Sequence, residues 1–276
     1  MILIFGGEGF IGKNTIKFIE ELELDYESVS REKCDLSKEN EVKKYLLNFK
    51  SLDLDIIFAA SVVRKKDNSE ASQRENISIV KSFIKSIDGL RINSLIFLSS
   101  IDVYLLEGKK ISETSPLCKT SPYGISKIYS ENLLKDKFKK NLTILRLPGI
   151  YGAGDANGST IQSFVSDIQN NIPIKLNNNG DDLRDYLHVD DVAKAILMFL
   201  KRPSPGTFNL ATGKSFTIKN IVNIISKKLR VEPIFENAED NQPSTIKISN
   251  KKFKKIFPEF KFKSIEEGIS YYIDQR

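Results

Sequence analysis

Tyr123 and Lys127 lie four residues apart in the run Thr120-Ser121-Pro122-Tyr123-Gly124-Ile125-Ser126-Lys127. Thr120 or Ser121 can cap a helix there and Pro122 fits its first turn, so the phenol and the ammonium share one helix face. A phenol ordinarily titrates near pH ~10, and an ammonium one turn away is expected to lower that value by stabilising the phenolate. A hydroxyl close by can hold a substrate oxygen while the phenol moves its proton. The run Leu98-Ser99-Ser100-Ile101-Asp102-Val103-Tyr104 supplies such hydroxyls at the C-terminal end of an expected strand, where open α/β sheets place their ligands. Together these groups are machinery for hydride transfer between a carbinol and a nicotinamide. A Tyr-x-x-x-Lys spacing alone carries little weight, because any surface helix can produce it.

A second chemical signal stands at the N-terminus. Gly6-Gly7-Glu8-Gly9-Phe10-Ile11-Gly12 follows a short apolar run, Ile2 to Phe5, and opens a helical stretch. It satisfies Gly-x-x-Gly-x-x-Gly from Gly6 and Gly-x-Gly-x-x-Gly from Gly7. Glycines in this context allow a tight turn and close approach of the backbone to a pyrophosphate. The N–H groups and dipole of the helix start then face the anion. Gly6, Gly9, Phe10, Ile11 and Gly12 are therefore expected to bind a dinucleotide. The group that reads the adenosine ribose should follow the second strand, where the chain has Ser30-Arg31-Glu32. Arg31 comes first and points to the 2′-phosphate of NADP(H); NAD(H), with Glu32 on the ribose, is the other possibility. Asp35 and Leu36 are placed to flank the adenine.

These side chains need a scaffold, and the apolar pattern predicts one. Strands are expected at Ile2–Phe5, Tyr26–Ser30, Ile56–Ala60, Leu95–Leu98 and Leu142–Leu147. Helices are expected at Ile11–Leu22, at Asn40–Phe49, over the stripe Ile77, Val80, Phe83, Ile84, Ile87, and from Pro122 onward. Short apolar strands alternating with helices imply a parallel sheet covered on both faces. Beyond Leu147 the pattern loosens, with a helix at Val192–Leu200, a strand at Thr207–Leu210, a helix at Ile218–Leu229, short β-like pieces from Pro233 and a last helix near Ile265–Ile273. The fold class is α/β, a Rossmann-type doubly wound parallel sheet with a smaller C-terminal substrate-binding lobe. Residues 1–150 form the expected dinucleotide-binding domain, to which about 184–230 return; residues 151–183 and 231–276 form mainly the lobe.

Composition bounds the alternatives. The chain has 276 residues, is 40% apolar and carries a formal charge of +6, an ordinary globular balance. Lysines are scattered, often beside acids, and no aromatic-plus-basic stripe suits base stacking. A nucleic-acid partner is not expected, and salt-dependent binding would test for one. No apolar run approaches the roughly 18 residues of a membrane span, and the start MILIFGG lacks the features of a signal peptide. Cys34 and Cys118 give neither a disulfide framework nor a metal spacing, and a cytoplasmic location is expected.

The combined motifs resemble those of the extended short-chain dehydrogenases/reductases, the nucleotide-sugar epimerase, dehydratase and reductase kind. The resemblance runs nearly end to end. It rests on Gly6-x-x-Gly9-x-x-Gly12, Phe58-Ala59-Ala60, Ser99-Ser100-x-x-Val103-Tyr104, Tyr123-x-x-x-Lys127, Leu145-Arg146-Leu147-Pro148-Gly149-Ile150-Tyr151-Gly152 and Arg184-Asp185-Tyr186-Leu187-His188-Val189. It implies that Tyr123 is the acid/base, that Lys127 orients the nicotinamide ribose and tunes Tyr123, and that Ser100 binds the reacting oxygen. It adds Ala59 and Ala60 to the cofactor site. It puts Gly149 and Arg184 on the nucleotide-diphosphate sugar. It further implies a homodimer paired through the Ile77–Ile87 helix and the Tyr123 helix.

The chain also departs from its resemblance. The 4,6-dehydratases of this kind carry an Asp-Glu pair where Ile101 and Asp102 stand, so dehydration is disfavoured. The Cys of GDP-fucose synthases is absent from position 102, and the Asn that UDP-galactose 4-epimerases have near Gly149 is missing. Asp102 serves either as an auxiliary acid/base or as a cap of its turn. His188, between Leu187 and Val189, reads as a packed residue, and nothing marks Cys118 as an activated thiolate. The expected activity is 4-keto reduction or C4 epimerisation of a nucleotide sugar, the alternative being a catalytically degenerate nucleotide-binding or partner-binding member.

Overall fold

The structure is a computed structural model that describes residues 1–105, 110–155, 158–237 and 243–276. The chain divides into two compact units. The first comprises Met1–Leu105, Pro116–Arg146 and Val192–Phe208; the second comprises Leu106–Ser115, Leu147–Asp191 and Asn209–Arg276. The return to the first unit is thus narrower than the expected 184–230. The helix Ile218–Leu229 belongs to the second unit because Ile221, Val222 and Ile225 pack there with Val165, Ile168 and Ile269.

The first unit holds β1 (Ile2–Phe5), α1 (Phe10–Glu21), β2 (Tyr26–Val29), α2 (Glu39–Leu46), β3 (Asp53–Phe58), α3 (Glu70–Ser86), β4 (Arg91–Ser100) and α4 (Pro122–Lys137). A parallel six-stranded sheet runs in the order Gly206–Asn209, Leu142–Leu147, β4, β3, β1, β2. Strand β1 is buried throughout, and β4 from Ser94 to Ser99. That double-sided burial explains why both read as continuous apolar runs. Phe5, Phe58 and Phe83 meet edge-on or tilted with ring centroids 5.1–5.3 Å apart, fixing α3 on one face of the sheet.

Strand β3 starts three residues earlier than its apolar run, at Asp53, and β4 starts at Arg91 rather than Leu95. Their polar first residues pair in register, with a shift between Leu54 and Asp55, so hydrogen bonding extends the strands beyond the apolar signal. In the second unit, short strand pairs join Gly149–Tyr151 to Tyr186–His188 and Leu183–Arg184 to Phe216–Thr217. The tail also forms a helix, Lys251–Ile256, where only β-like pieces were expected. Lys251, Lys252 and Lys255 stay outside, Lys254 folds onto the Phe260 carbonyl, and Phe253 is buried against Phe257 and Phe260.

Candidate active site

The glycine turn leaves β1 and enters α1 as the spacing predicts. Gly6 adopts a φ of +86°, and a Cβ there would fall 2.7 Å from the Ala60 amide nitrogen, so the turn lies directly on the end of β3. A Cβ on Gly12 would fall 2.7 Å from the Gly7 Cα. Gly9 caps α1 without a side chain, and among the described residues a Cβ there would meet only the Gly6 carbonyl oxygen, 3.2 Å away. The amides of Phe10, Ile11 and Gly12, which a helix start leaves without intrahelical acceptors, thus lie beneath an uncovered backbone. This cradle is small enough for a pyrophosphate and too tight for side chains, so the residues present fit a dinucleotide.

Downstream of β2, the Arg31 guanidinium is largely exposed and pairs with Glu75 on α3 at 3.3 Å. Asp35 turns inward on its own turn: Oδ1 accepts from the Ser37 amide at 3.0 Å and its hydroxyl at 2.7 Å. Those donors, with Arg31 and Lys38 nearby, hold its carboxyl below the usual range. Leu36 is buried in the core of the sheet.

Helix α4 begins as its sequence dictates, with Ser121 Oγ accepting from the Gly124 amide at 3.0 Å and Pro122 in the first turn. Gly124 lets the helix start approach the short turn Ile101–Val103. A Cβ at Gly124 would collide with the Asp102 carbonyl oxygen and lie 3.1 Å from its carbon. Ser100 caps that turn, its Oγ accepting from the Asp102 amide at 3.1 Å. The Asp102 carboxylate pairs with Arg64 at 3.2 Å.

Lys127 is buried, and its Nζ donates to the Leu98 carbonyl at 2.9 Å. It lies 5.4 Å from the Tyr123 ring centroid and 5.0 Å from that of Phe97. Burial pushes this ammonium down to about 8, opposed by Glu131. Tyr123 departs from the expectation of a lowered phenol. Burial pushes it above its ordinary value and the Asp102 carboxylate adds to that, while a hydrogen bond with Ser61 and the Arg64 charge work the other way. Desolvation outweighs cationic neighbours here, so the phenol keeps its proton through neutral pH.

Three further groups escaped the sequence reading. Ser61, Arg64 and Asn68 lie between β3 and α3. Asn68 Oδ1 accepts from the Tyr123 amide at 3.2 Å. The segment's anchor is Asn76, whose side chain bonds both the amide and the carbonyl of Val62 at 2.7 and 2.9 Å. The only signal for these residues was their position after a strand end.

In the second unit, Gly149 packs against Tyr186, where a Cβ would fall 2.8 Å from the ring. Arg184 donates to the Leu183 and Ser244 carbonyls at 2.9 and 3.0 Å and pairs with Asp182 at 3.3 Å. His188 is buried, with Nδ1 accepting from the Asp190 amide at 3.2 Å. Cys118 is half-buried and Cys34 buried, and burial pushes the Cys34 thiol up to about 11. Among the described residues no cluster of His, Cys, Asp and Glu could hold a metal ion, and no helix is long and apolar enough to cross a membrane.

Residues 2–211 match the NAD dependent epimerase/dehydratase family. The chain belongs to that family. As a family member it is 26% identical over 299 residues to the UDP-glucose 4-epimerase of Bacillus subtilis, covering 89% of this chain and 86% of that one. It is 27% identical over 265 residues to the dTDP-4-dehydro-6-deoxyglucose reductase of Escherichia coli, covering 84% and 83%. Its fold matches that of the Thermus thermophilus UDP-glucose 4-epimerase in complex with NAD, with a TM-score of 0.80, 21% identity and coverage of 99% and 97%. The family member is therefore an enzyme of the NAD-dependent epimerase/dehydratase kind on the Rossmann-type fold that its strand and helix pattern predicts.

Proposed function

We propose that this family member carries out hydride transfer at C4 of a nucleoside-diphosphate sugar, with C4 epimerisation of a UDP-hexose as the leading reaction. The observation that carries the reading is the pairing of the Tyr123 phenol and the buried Lys127 ammonium on one helix face, joined to the strand end that bears Ser100. The likeness to the Bacillus UDP-glucose 4-epimerase supports the sugar and the carbon.

Gly6, Gly9, Phe10, Ile11 and Gly12 would hold the cofactor's pyrophosphate, with Ala59 and Ala60 against the turn and Arg31 by the adenosine ribose. A bound nicotinamide supplies an acceptor and donor of hydride. The chain's own groups handle the proton. Ser100 Oγ holds the oxygen on C4, and Tyr123 gives that oxygen a proton or takes one away. Lys127 and Arg64 favour the phenolate when Tyr123 acts as base. Asp102, paired with Arg64, opposes it and so helps keep the acid form. Arg184 would contact the diphosphate, exchanging Asp182 for another anion.

A second reading, 4-keto reduction with NADPH, draws on Arg31, on the protonated state of Tyr123 and on the Escherichia coli reductase relative. Dehydration is disfavoured, since Ile101 replaces one of its two acids. A degenerate binding member would lose nothing when Tyr123 is changed. Tyr123→Phe removes the proton and keeps the ring, so kcat for UDP-glucose/UDP-galactose interconversion should fall at least ~10²-fold with the melting temperature preserved. Activity within about twofold of wild type would remove Tyr123 from the chemistry.

A further inference from the structure

A buried polar network lies one helical turn beyond Lys127. Glu131 is buried on α4, and its Oε1 accepts from the Ser99 hydroxyl at 2.6 Å and from Arg146 Nε at 2.9 Å. Its Oε2 accepts from Arg146 Nη2 at 2.6 Å and from Lys135 at 3.2 Å. Arg146, buried on the strand Leu142–Leu147, also donates from Nη1 to the Tyr104 hydroxyl at 2.8 Å and lies 4.7 Å from that ring's centroid. Burial alone would raise the Glu131 carboxyl, but the two-toothed Arg146 contact overrides it and holds the carboxyl below its ordinary range.

Each arm of this network touches a neighbour of the site. Ser99 precedes Ser100 on β4, Tyr104 follows the turn that Ser100 caps, and Glu131 shares α4 with Tyr123 and Lys127. On its own helix Lys127 faces the Tyr123 ring and feels the Glu131 charge, and Glu131 in turn is held by Arg146 on the neighbouring strand. From β4 it meets only the Phe97 ring and the Leu98 carbonyl. Glu131 stands four residues from Lys127 on α4, both are buried, and its charge acts on a cation whose Nζ rests on a carbonyl dipole.

We propose that Glu131 is a positioning residue: through Ser99 and Arg146 it clamps α4 to the strand ends that carry Ser100, and its charge keeps Lys127 an ammonium. This rests on the reading of Ser100, Tyr123 and Lys127 as the reacting site. A clamp that sets the separation of reacting groups acts on kcat, because small misplacements are costly at the transition state. A carboxylate that stabilises a buried ammonium acts on its titration.

The test follows the Lys127 ammonium by carbon NMR in the free protein, assigned with Lys127→Arg, alongside the pH profile of UDP-glucose/UDP-galactose interconversion. The wild-type midpoint is expected near about 8. Glu131→Gln should lower the midpoint by about one unit, and the alkaline limb of kcat should move to lower pH with it, because the active form is the charged one. Since Glu131→Gln strands the buried Arg146 and can unfold the chain, Glu131→Gln with Arg146→Met is the second variant, with the same direction expected. Ser99→Ala, which leaves the ion pair intact, should lower kcat roughly 10-fold with KM within about twofold and the midpoint unmoved. An unchanged midpoint in a folded Glu131 variant, or wild-type kcat in Ser99→Ala, overturns the proposal. Interconversion that survives Tyr123→Phe overturns instead the underlying reading of the site, and the midpoint still decides the coupling.

Discussion

The chemistry of single residues here is governed by desolvation more than by sequence neighbours. A Tyr and a Lys four apart suggest a lowered phenol, yet burial raises Tyr123 and depresses Lys127. For Lys127 the depression is a stability statement. The unfolded chain holds this proton up to the ordinary lysine pKa and the folded chain only up to about 8. Stability from this group is therefore complete above the unfolded value and lost as pH falls through about 8, leaving a penalty on the order of 3 kcal/mol at neutral pH. Lys127→Met should raise Tm at pH 7 while lowering kcat, and the gain in Tm should shrink as pH rises from about 8 to ~10.5. A lowered Tm at pH 7 would show that the ammonium is held without cost. Arg31 poses a different question, because it is exposed and already paired with Glu75. Arg31→Ala should weaken NADPH binding more than NADH binding, by roughly 1.5–3 kcal/mol if the guanidinium meets the 2′-phosphate. Parallel titrations of both cofactors measure this, and equal losses would return the ribose to Glu32.

The elements show what a sequence can and cannot disclose. The glycine turn was readable because its function is backbone geometry, and Gly6, Gly9 and Gly12 record that geometry as residue type. Strand Leu142–Leu147 and helix Ile218–Leu229 were readable to the residue, since each is bounded where its apolar pattern ends. Strand β3 was not, because Asp53 joins through strand hydrogen bonding and an ion pair with Arg91 rather than through apolar burial. Helix α4 hides its inner face: Ser126, Lys127, Ser130 and Glu131 are buried on it, so apolar periodicity could not orient it. Ser61, Arg64 and Asn68 reach the site from a loop without any period. Gly124 offers a test of how these elements meet. By helix propensity alone Gly124→Ala should stabilise α4 by up to ~1 kcal/mol. Against the Asp102 carbonyl it should instead destabilise by about 1–3 kcal/mol and lower kcat more than ~10-fold. Thermal melts and steady-state kinetics check both, and a Tm at or above wild type would contradict the close approach.

At the scale of the whole chain, two units divide the expected site residues between them. The first carries the glycine turn, Ser100, Tyr123 and Lys127, and the second carries Gly149 and Arg184. The division was only partly legible, because the helix Ile218–Leu229 has the same amphipathic signature wherever it packs, and only its partners in the second core assign it. The family match over residues 2–211 covers nearly all of the first unit and less than half of the second, and the activity proposed for the chain is reversible hydride transfer at C4. The direct measurement is to incubate the purified chain with NAD and UDP-galactose carrying deuterium at C4, and to follow the sugar by proton NMR. UDP-glucose should form with the deuterium retained at C4, because the hydride removed from one face returns to the other. A folded, NAD-binding protein that leaves UDP-galactose unchanged would contradict the account.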